Sequence, residues 1–214
     1  VSAAAPFPSG LYAITAETAD TARLLEQVEA ALAGGAAAVQ YRDKSGDVAR
    51  RHEQASELAA LCRRHGAPLV VNDDLRLADL AGADGVHLGR DDGGVREARI
   101  VLGPGRFVGA SCYQNLDLAR AAQAAGADYV AFGSFFPSPT KPAAPRAPLD
   151  LLRAARAELR VPLVAIGGIT PDNAAALLDA GADGLAVLSA VFGAPDVRAA
   201  AHAFNLLFET EPED

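Results

Sequence analysis

Residues 177–188 read Leu-Leu-Asp-Ala-Gly-Ala-Asp-Gly-Leu-Ala-Val-Leu. Apolar residues at helical spacing (Ala174, Leu177, Leu178, Ala180) lead into Gly181-Ala182-Asp183, and the apolar run GLAVL follows. Glycine takes the left-handed conformation that ends a helix, so the phrase reads as helix, stop and buried strand. It recurs along the chain. Gly34-Gly35-Ala36 precedes AAVQY, Gly82-Ala83-Asp84 precedes GVHL, and Gly126-Ala127-Asp128 precedes YVAF. The runs are continuously apolar, as strands of a parallel sheet covered on both faces must be.

All such runs together number eight: LYAIT (11–15), AAVQY (37–41), PLVVN (68–72), GVHL (85–88), RFVGA (106–110), YVAFG (129–133), PLVAIG (162–167) and GLAVL (184–188). A helical segment is expected after each, over 18–33, 47–65, 75–81, 93–102, 115–125, 148–159, 171–180 and 195–208. Eight β–α units in one chain of this size predict a single-domain α/β fold, the (β/α)₈ TIM barrel. A doubly wound open sheet has fewer units and no such regular count. The barrel is expected over 10–208, between a tail at 1–9 and an acidic tail at 209–214.

Bulk properties narrow the function. Half of the 214 residues are apolar, which supplies a sizeable core, and the net charge is −8. No basic stripe exists to replace phosphate counterions, so a nucleic-acid partner is not expected. No apolar run approaches membrane-spanning length, and the opening VSAAAPFPSG lacks the basic and apolar regions of a signal peptide. Cys62 and Cys112 are too few for a disulfide framework and point to a reducing, cytoplasmic setting. Cys62 reads as core, whereas Cys112 is either a small filler or a pocket residue. A homo-oligomer is compatible with the composition, which does not define the number of copies.

In a barrel, residues just past the strand ends gather on one face, where such enzymes keep their sites. Strand 2 leads to Gln40, Tyr41, Arg42, Asp43 and Lys44, and strand 3 to Asn72, Asp73 and Asp74. Strand 4 gives His87, Arg90, Asp91 and Asp92; strands 5 and 6 give Ser111, Ser138, Pro139, Thr140 and Lys141. Strands 7 and 8 end in Gly167-Gly168 and Leu188-Ser189. Lys44 and Lys141 are the only two lysines beside seventeen arginines, so each stands where a compact ammonium differs from a guanidinium in use. Asp73 and Asp92, past adjacent strands, suit Mg²⁺ held by two carboxylates, substrate oxygens and water. Arg42, Lys44 and Lys141 around it read as a pyrophosphate site; the competing reading pairs Arg42 with Asp43 or Asp73. The glycines of strand 7 and the start of a short helix after strand 8 suit a phosphate, although Gly167-Gly168 also suits a tight turn before Thr170-Pro171-Asp172. Asp74 reads as a helix cap and Asp91 as a surface charge. His87 is either a ligand or base, or a hydrogen-bonded histidine of the barrel interior.

The motifs QYRDK, VVNDD, GVHLGRDD, GAS, FFPSPTK, VAIGGI and AVLSA, in this order, resemble the thiamine phosphate synthase family from Gly10 to about Phe208. That resemblance implies an enzyme, a transferase of thiamine biosynthesis. It would join 4-amino-5-hydroxymethyl-2-methylpyrimidine diphosphate to a thiazole phosphate or its carboxylated form, and release pyrophosphate. It assigns the pyrimidine diphosphate to Gln40, Tyr41, Arg42, Asp43, Lys44, Asn72, Ser111 and Lys141, and Mg²⁺ to Asp73 and Asp92. The thiazole phosphate would meet Ser138, Pro139, Thr140, Gly168, Leu188 and Ser189. Arg42, Lys44, Ser111 and Lys141 carry the catalytic expectation: pyrophosphate departs first and the thiazole nitrogen traps the methylene cation. Ser138 stands where the family has Thr, Arg90-Asp91 where it has Gln-Glu, and Cys112-Tyr113 where it has Thr-His. The alternatives are a thiazole tautomerase, a non-catalytic precursor-binding paralogue, and an imine-forming aldolase using Lys141.

Overall fold

A computed structural model describes residues 6–138, 143 and 145–209. Eight strands close into one parallel barrel in chain order. They are β1 (Gly10–Ile14), β2 (Ala38–Tyr41), β3 (Leu69–Asn72), β4 (Gly85–Leu88), β5 (Phe107–Tyr113), β6 (Tyr129–Gly133), β7 (Leu163–Ile166) and β8 (Gly184–Val187). Outside lie α1 (Thr21–Ala33), α2 (Val48–His65), α3 (Leu75–Leu80), α4 (Val95–Leu102), α5 (Leu116–Ala124), α6 (Leu149–Glu158), α7 (Pro171–Asp179), α8 (Ser189–Phe192) and α9 (Val197–Glu209). The predicted TIM barrel is the fold observed.

The recurring phrase is a recurring piece of geometry. Gly35, Gly82, Gly126 and Gly181 all take positive φ. In each copy the next residue's amide reaches back to the helix: Ala36 to Ala31 O, Ala83 to Ala78 O, Ala127 to Ala122 O and Ala182 to Leu177 O. The aspartates then fasten the strand to its neighbour. Asp84, Asp128 and Asp183 donate their amides to the carbonyls of Leu69, Val108 and Leu163. Their carboxylates accept from the amides of those same three residues at 2.9, 2.6 and 2.7 Å. Ala37 occupies that place in the first copy and keeps only the backbone bond, to Leu11 O.

The core has two layers. Outward side chains such as Leu11, Val39, Val71 and Leu163 meet the helices. Inward ones, including Tyr12, Ile14, Ala38, Val70, Tyr129, Val164 and Ala186, fill the barrel. Phe7 belongs to this inner cluster. It stacks on Tyr129 at 4.0 Å and meets Tyr12 and Phe107 edge-on, closing the N-terminal end of the barrel. The tail expected over 1–9 is corrected there: burial of a large apolar ring ties down residues that look featureless in sequence.

Strand β5 runs to Tyr113, three residues past its expected end, because a bulge between Ser111 and Tyr113 shifts the register and pairing with β6 continues. The helix expected over 195–208 is α9, and α8 is the short helix directly after β8.

Candidate active site

At the C-terminal ends of the strands lies one cavity of about 720 Å³. On β2 the alternation of side chains continues past the strand's end. Gln40, Arg42 and Lys44 line the cavity, whereas Tyr41 and Asp43 face the helices. Tyr41 donates its hydroxyl to Gln54 on α2 at 2.8 Å. Asp43 accepts from the Ser45 amide at 2.7 Å and faces Arg50. The Ser45 bonds and Arg50 and Arg51 nearby outweigh its burial and hold its carboxyl below the ordinary range. The expected ligand roles of the Tyr41 and Asp43 side chains are corrected accordingly: a strand ending in the cavity sends alternate side chains the other way. Two further residues set this loop. Thr15 accepts from the Arg42 amide at 3.0 Å, and Glu17 from the Lys44 amide at 2.9 Å.

Asp73 has a φ of 65°, and its amide donates to the His87 carbonyl. Its carboxylate meets the Lys44 ammonium at 3.0 Å. Asp92 accepts from the Gly89 amide at 2.8 Å. The Asp73 and Asp92 carboxyls act on each other, and their titrations split. Burial and then Asp73 push Asp92 up. For Asp73, the bonds from Asp92 and Lys44 overcome burial and bring it down. Two carboxyls placed side by side in this way form a donor pair that fits a hard divalent cation. Among the described residues no group of three or more His, Cys, Asp or Glu side chains adds to it. Asp74, as expected, caps α3 and pairs with Arg51 at 2.9 Å.

His87 is the interior histidine of the two readings. Its Nδ1 is 3.0 Å from the Tyr129 hydroxyl and its Nε2 is 2.9 Å from Ser111 Oγ. Burial brings its pKa to about 4, against a weaker opposing pull from Asp73, and the imidazole is neutral at pH 7. Cys112 is the filler of its two readings, buried within β5. Tyr113, beyond the bulge, lines the cavity with a φ of 54° and accepts from the Arg90 amide at 3.2 Å. The Arg90 guanidinium lies 4.9 Å above its ring. Gln114 joins the next loop through the Gly133 and Pro145 carbonyls.

The opposite wall is built of backbone. Gly167 and Gly168 have φ of 104° and 66°. A Cβ on Gly167 would lie 2.0 Å from Ser134 Oγ, and one on Gly168 would lie 2.2 Å from the Pro137 carbonyl. Only glycine fits there, because the loop after β6 packs directly against this backbone, and the two residues line the cavity beside Leu188 and Ser189. Thr170 and Asn173 form a capping box at the start of α7, so the glycines serve the turn as well. Asn72, Ser111 and Ser138 also line the cavity. Pro139, Thr140 and Lys141 lie outside the described residues.

The sequence profile described as thiamine monophosphate synthase matches residues 11–191. The chain belongs to the thiamine monophosphate synthase family. Thiamine-phosphate synthase from Thiobacillus denitrificans is 76% identical over 208 residues, 97% of this chain and 99% of its own. That from Methylobacillus flagellatus is 56% identical over 93% of this chain and 95% of its own. A thiamine phosphate pyrophosphorylase structure from Pyrococcus furiosus superposes with a TM-score of 0.83 at 39% identity, covering 94% of this chain and 95% of that one. Membership makes this family chain an enzyme, a transferase of thiamine biosynthesis. Tyr12, Tyr129, Thr15, Glu17 and Gln114 escaped the sequence reading. The phenols sit in uniformly apolar strands, and the others hold loops through backbone contacts that no motif displays.

Proposed function

We propose that the chain joins 4-amino-5-hydroxymethyl-2-methylpyrimidine diphosphate to a thiazole phosphate, plain or carboxylated, giving thiamine phosphate and pyrophosphate. One observation carries this reading: a single cavity has a cationic and acidic wall of Arg42, Lys44, Asp73 and Asp92, and a backbone wall of Gly167 and Gly168 beside Ser189. Two anionic substrates need two such ends. The space between them, in a cavity of about 720 Å³, suits two small heterocycles held side by side.

Arg42 and Lys44, with Lys141 from the β6 loop, neutralise the departing pyrophosphate. Asp73 and Asp92 would hold Mg²⁺, which when bound adds charge neutralisation at the leaving oxygens. Gln40, Asn72 and Ser111 hold the pyrimidine, while Ser138, Thr140, Gly168, Leu188 and Ser189 hold the thiazole phosphate. The carbon–oxygen bond breaks first. The electron-rich aminopyrimidine stabilises the methylene cation, and the thiazole nitrogen then forms the new carbon–nitrogen bond. This route asks the protein for charge and position and for no general base, which agrees with a neutral, internally bonded His87. Two unpaired buried cysteines agree with a cytoplasmic location. No helix among the described residues is long and apolar enough to cross a membrane.

The test is pyrophosphate release from the purified protein. Release is expected only with both substrates and Mg²⁺ present, and is abolished by a chelator. Binding of thiazole phosphate without release would replace this reading with the tautomerase or the precursor-binding paralogue.

A further inference from the structure

Helix α2 carries cations at both ends. Arg63, Arg64 and His65 fill its last turn, where the helix dipole favours positive charge. Arg50 and Arg51 stand at its start, where the dipole opposes it. Both are mostly buried, with side chains 24% and 19% exposed. Among the described residues, three buried side-chain atoms have no hydrogen-bond partner: Asp43 Oδ2, Arg50 Nε and Arg51 Nε. All lie in this one cluster. Each such atom carries a desolvation cost, so helix stability alone does not account for the arrangement.

What the two guanidiniums hold does account for it. Arg50 reaches the loop after β2, donating to Ser45 Oγ at 2.7 Å and to Asp47 at 3.3 Å, and lies 3.6 Å from Asp43. Arg51, the next residue, reaches the loop after β3 and donates to Asp74 at 2.9 Å. One turn of helix therefore spans two loops. On their cavity side these loops carry Lys44 and Asp73, paired at 3.0 Å. The Lys44 side chain is 56% exposed, so this pair contributes little to its own geometry. Asp73 moreover has a φ of 65°, a left-handed conformation that persists only where the surroundings hold it. The amides of Asp73 and Asp74 donate to His87 O and Asn72 O, both at 2.8 Å, and fix the backbone of that turn. The Asp74 side chain is fixed in its turn by the Leu77 amide at 2.9 Å and by Arg51.

We propose that Arg51 is a positioning residue: through Asp74 it holds Asp73 against Lys44, with α2 as a brace that Arg50 anchors to the β2 loop. The inference rests on the function proposed above, in which Lys44 and Asp73 meet the pyrophosphate and its metal, and adds the residue that sets their register. Neither Arg50 nor Arg51 lines the cavity, so any effect on a ligand passes through the two loops. Groups that orient a metal-binding carboxylate from behind affect metal affinity nearly as much as the ligands do.

The test measures binding of Mn²⁺, an oxygen-seeking stand-in for Mg²⁺, by electron paramagnetic resonance without substrates, in the parent and in Arg51→Met. Methionine keeps an unbranched apolar stem and leaves Asp74 to water. Mn²⁺ affinity is expected to fall about tenfold. The kcat/KM for the pyrimidine diphosphate should fall about thirtyfold, while KM for thiazole phosphate, on the opposite wall, stays within about twofold. The urea midpoint should hold or rise, because an unpaired Nε and a cation opposed by the dipole are both removed. A merely structural ion pair would do the reverse, lowering the midpoint and sparing Mn²⁺ affinity. Arg51→Lys should restore Mn²⁺ affinity to within about threefold of the parent, since Arg51 makes one bond to Asp74 and no fork. Asp74→Asn keeps an acceptor for the Leu77 amide but removes the ion pair, and serves if Arg51→Met does not fold. Unchanged Mn²⁺ affinity in a folded variant overturns the inference and leaves the synthase reading standing. A parent that binds no Mn²⁺ removes the metal from the proposed function, and the inference with it.

Discussion

The two ends of this barrel are built on different rules. At the N-terminal end Asp84, Asp128 and Asp183 repeat one device, pinning the neighbouring strand through amide and carboxylate. At the C-terminal end the strands finish in Gln40-to-Lys44, Asn72-Asp73, His87, Ser111, Gly167-Gly168 and Leu188-Ser189, with no phrase repeated. Repetition belongs to the end that holds the barrel closed, and variation to the end that meets ligands. The difference predicts that changes at the top cost activity and leave stability nearly untouched, whereas changes at the bottom do the reverse.

The largest expected effect is at the top. Asp73→Asn keeps the size of the side chain but removes the charge that pairs with Lys44 and faces Asp92. Pyrophosphate release is expected to fall by about a thousandfold, the scale seen when a charge-stabilising group is removed. Unfolding in urea should shift by less than about 1 kcal/mol, since the ion pair is partly exposed. A large stability loss with modest activity loss would break the division of labour between the two ends.

Between the ends, Gly109→Ala should damage both properties. The added methyl meets the hydroxyl end of the Tyr129 ring, which is already packed by Phe7 and His87. Overpacking of this kind costs about 3 kcal/mol, read as a lowered urea midpoint. Because Tyr129 links His87 to Tyr12, affinity for the pyrimidine diphosphate should fall with stability. Unchanged affinity would show that the interior supports the floor of the site only loosely.

His87 gives a pH signature of this middle layer. Its folded pKa of about 4 lies below the unfolded value of 6.5, mainly through burial, with Asp73 pulling weakly the other way. The unfolded chain therefore binds the proton first as pH falls. The stability linked to neutral His87 is complete above about pH 6.5 and is lost progressively down to about pH 4. Between pH 7.5 and 5.0 this amounts to roughly 2 kcal/mol. His87→Gln should show a shallower loss over that interval in urea unfolding; parallel curves for the two proteins would contradict the burial argument.

The same contrast explains what the sequence disclosed. Gly-Ala-Asp is legible because one backbone problem, ending a helix and starting a parallel strand, has one economical solution that recurs. The charged residues above it are legible because polar side chains past apolar strands have few structural reasons to be there. Tyr12 and Tyr129 were hidden because a strand buried on both faces gives no alternation to say which side chain turns inward. Tyr41 and Asp43 misled for the opposite reason: they adjoin Arg42 and Lys44 in sequence but face Gln54 and Arg50 behind the strand. Phe7 drew no notice since six residues around one aromatic have no period at all.

The smallest effect tests the bottom end directly. Asp183→Asn keeps one oxygen to accept from the Leu163 amide but weakens that bond and the ion pair with Arg156 at 2.8 Å. Both carboxylate and guanidinium are about a third exposed, so the ion pair itself contributes little and the charged acceptor of the amide contributes most. A loss of about 1 kcal/mol in urea unfolding is expected, with kcat and both KM values unchanged. The first copy of the phrase supplies an internal control: Ala37 already stands where the aspartate would be, and β2 still pairs with β1 through the backbone alone. The carboxylates therefore reinforce a closure that the backbone bonds can make by themselves, and Asp183→Asn should fold to the same barrel. An effect on KM from so distant a residue would mean that the two ends are mechanically coupled, contrary to the division drawn from their sequences.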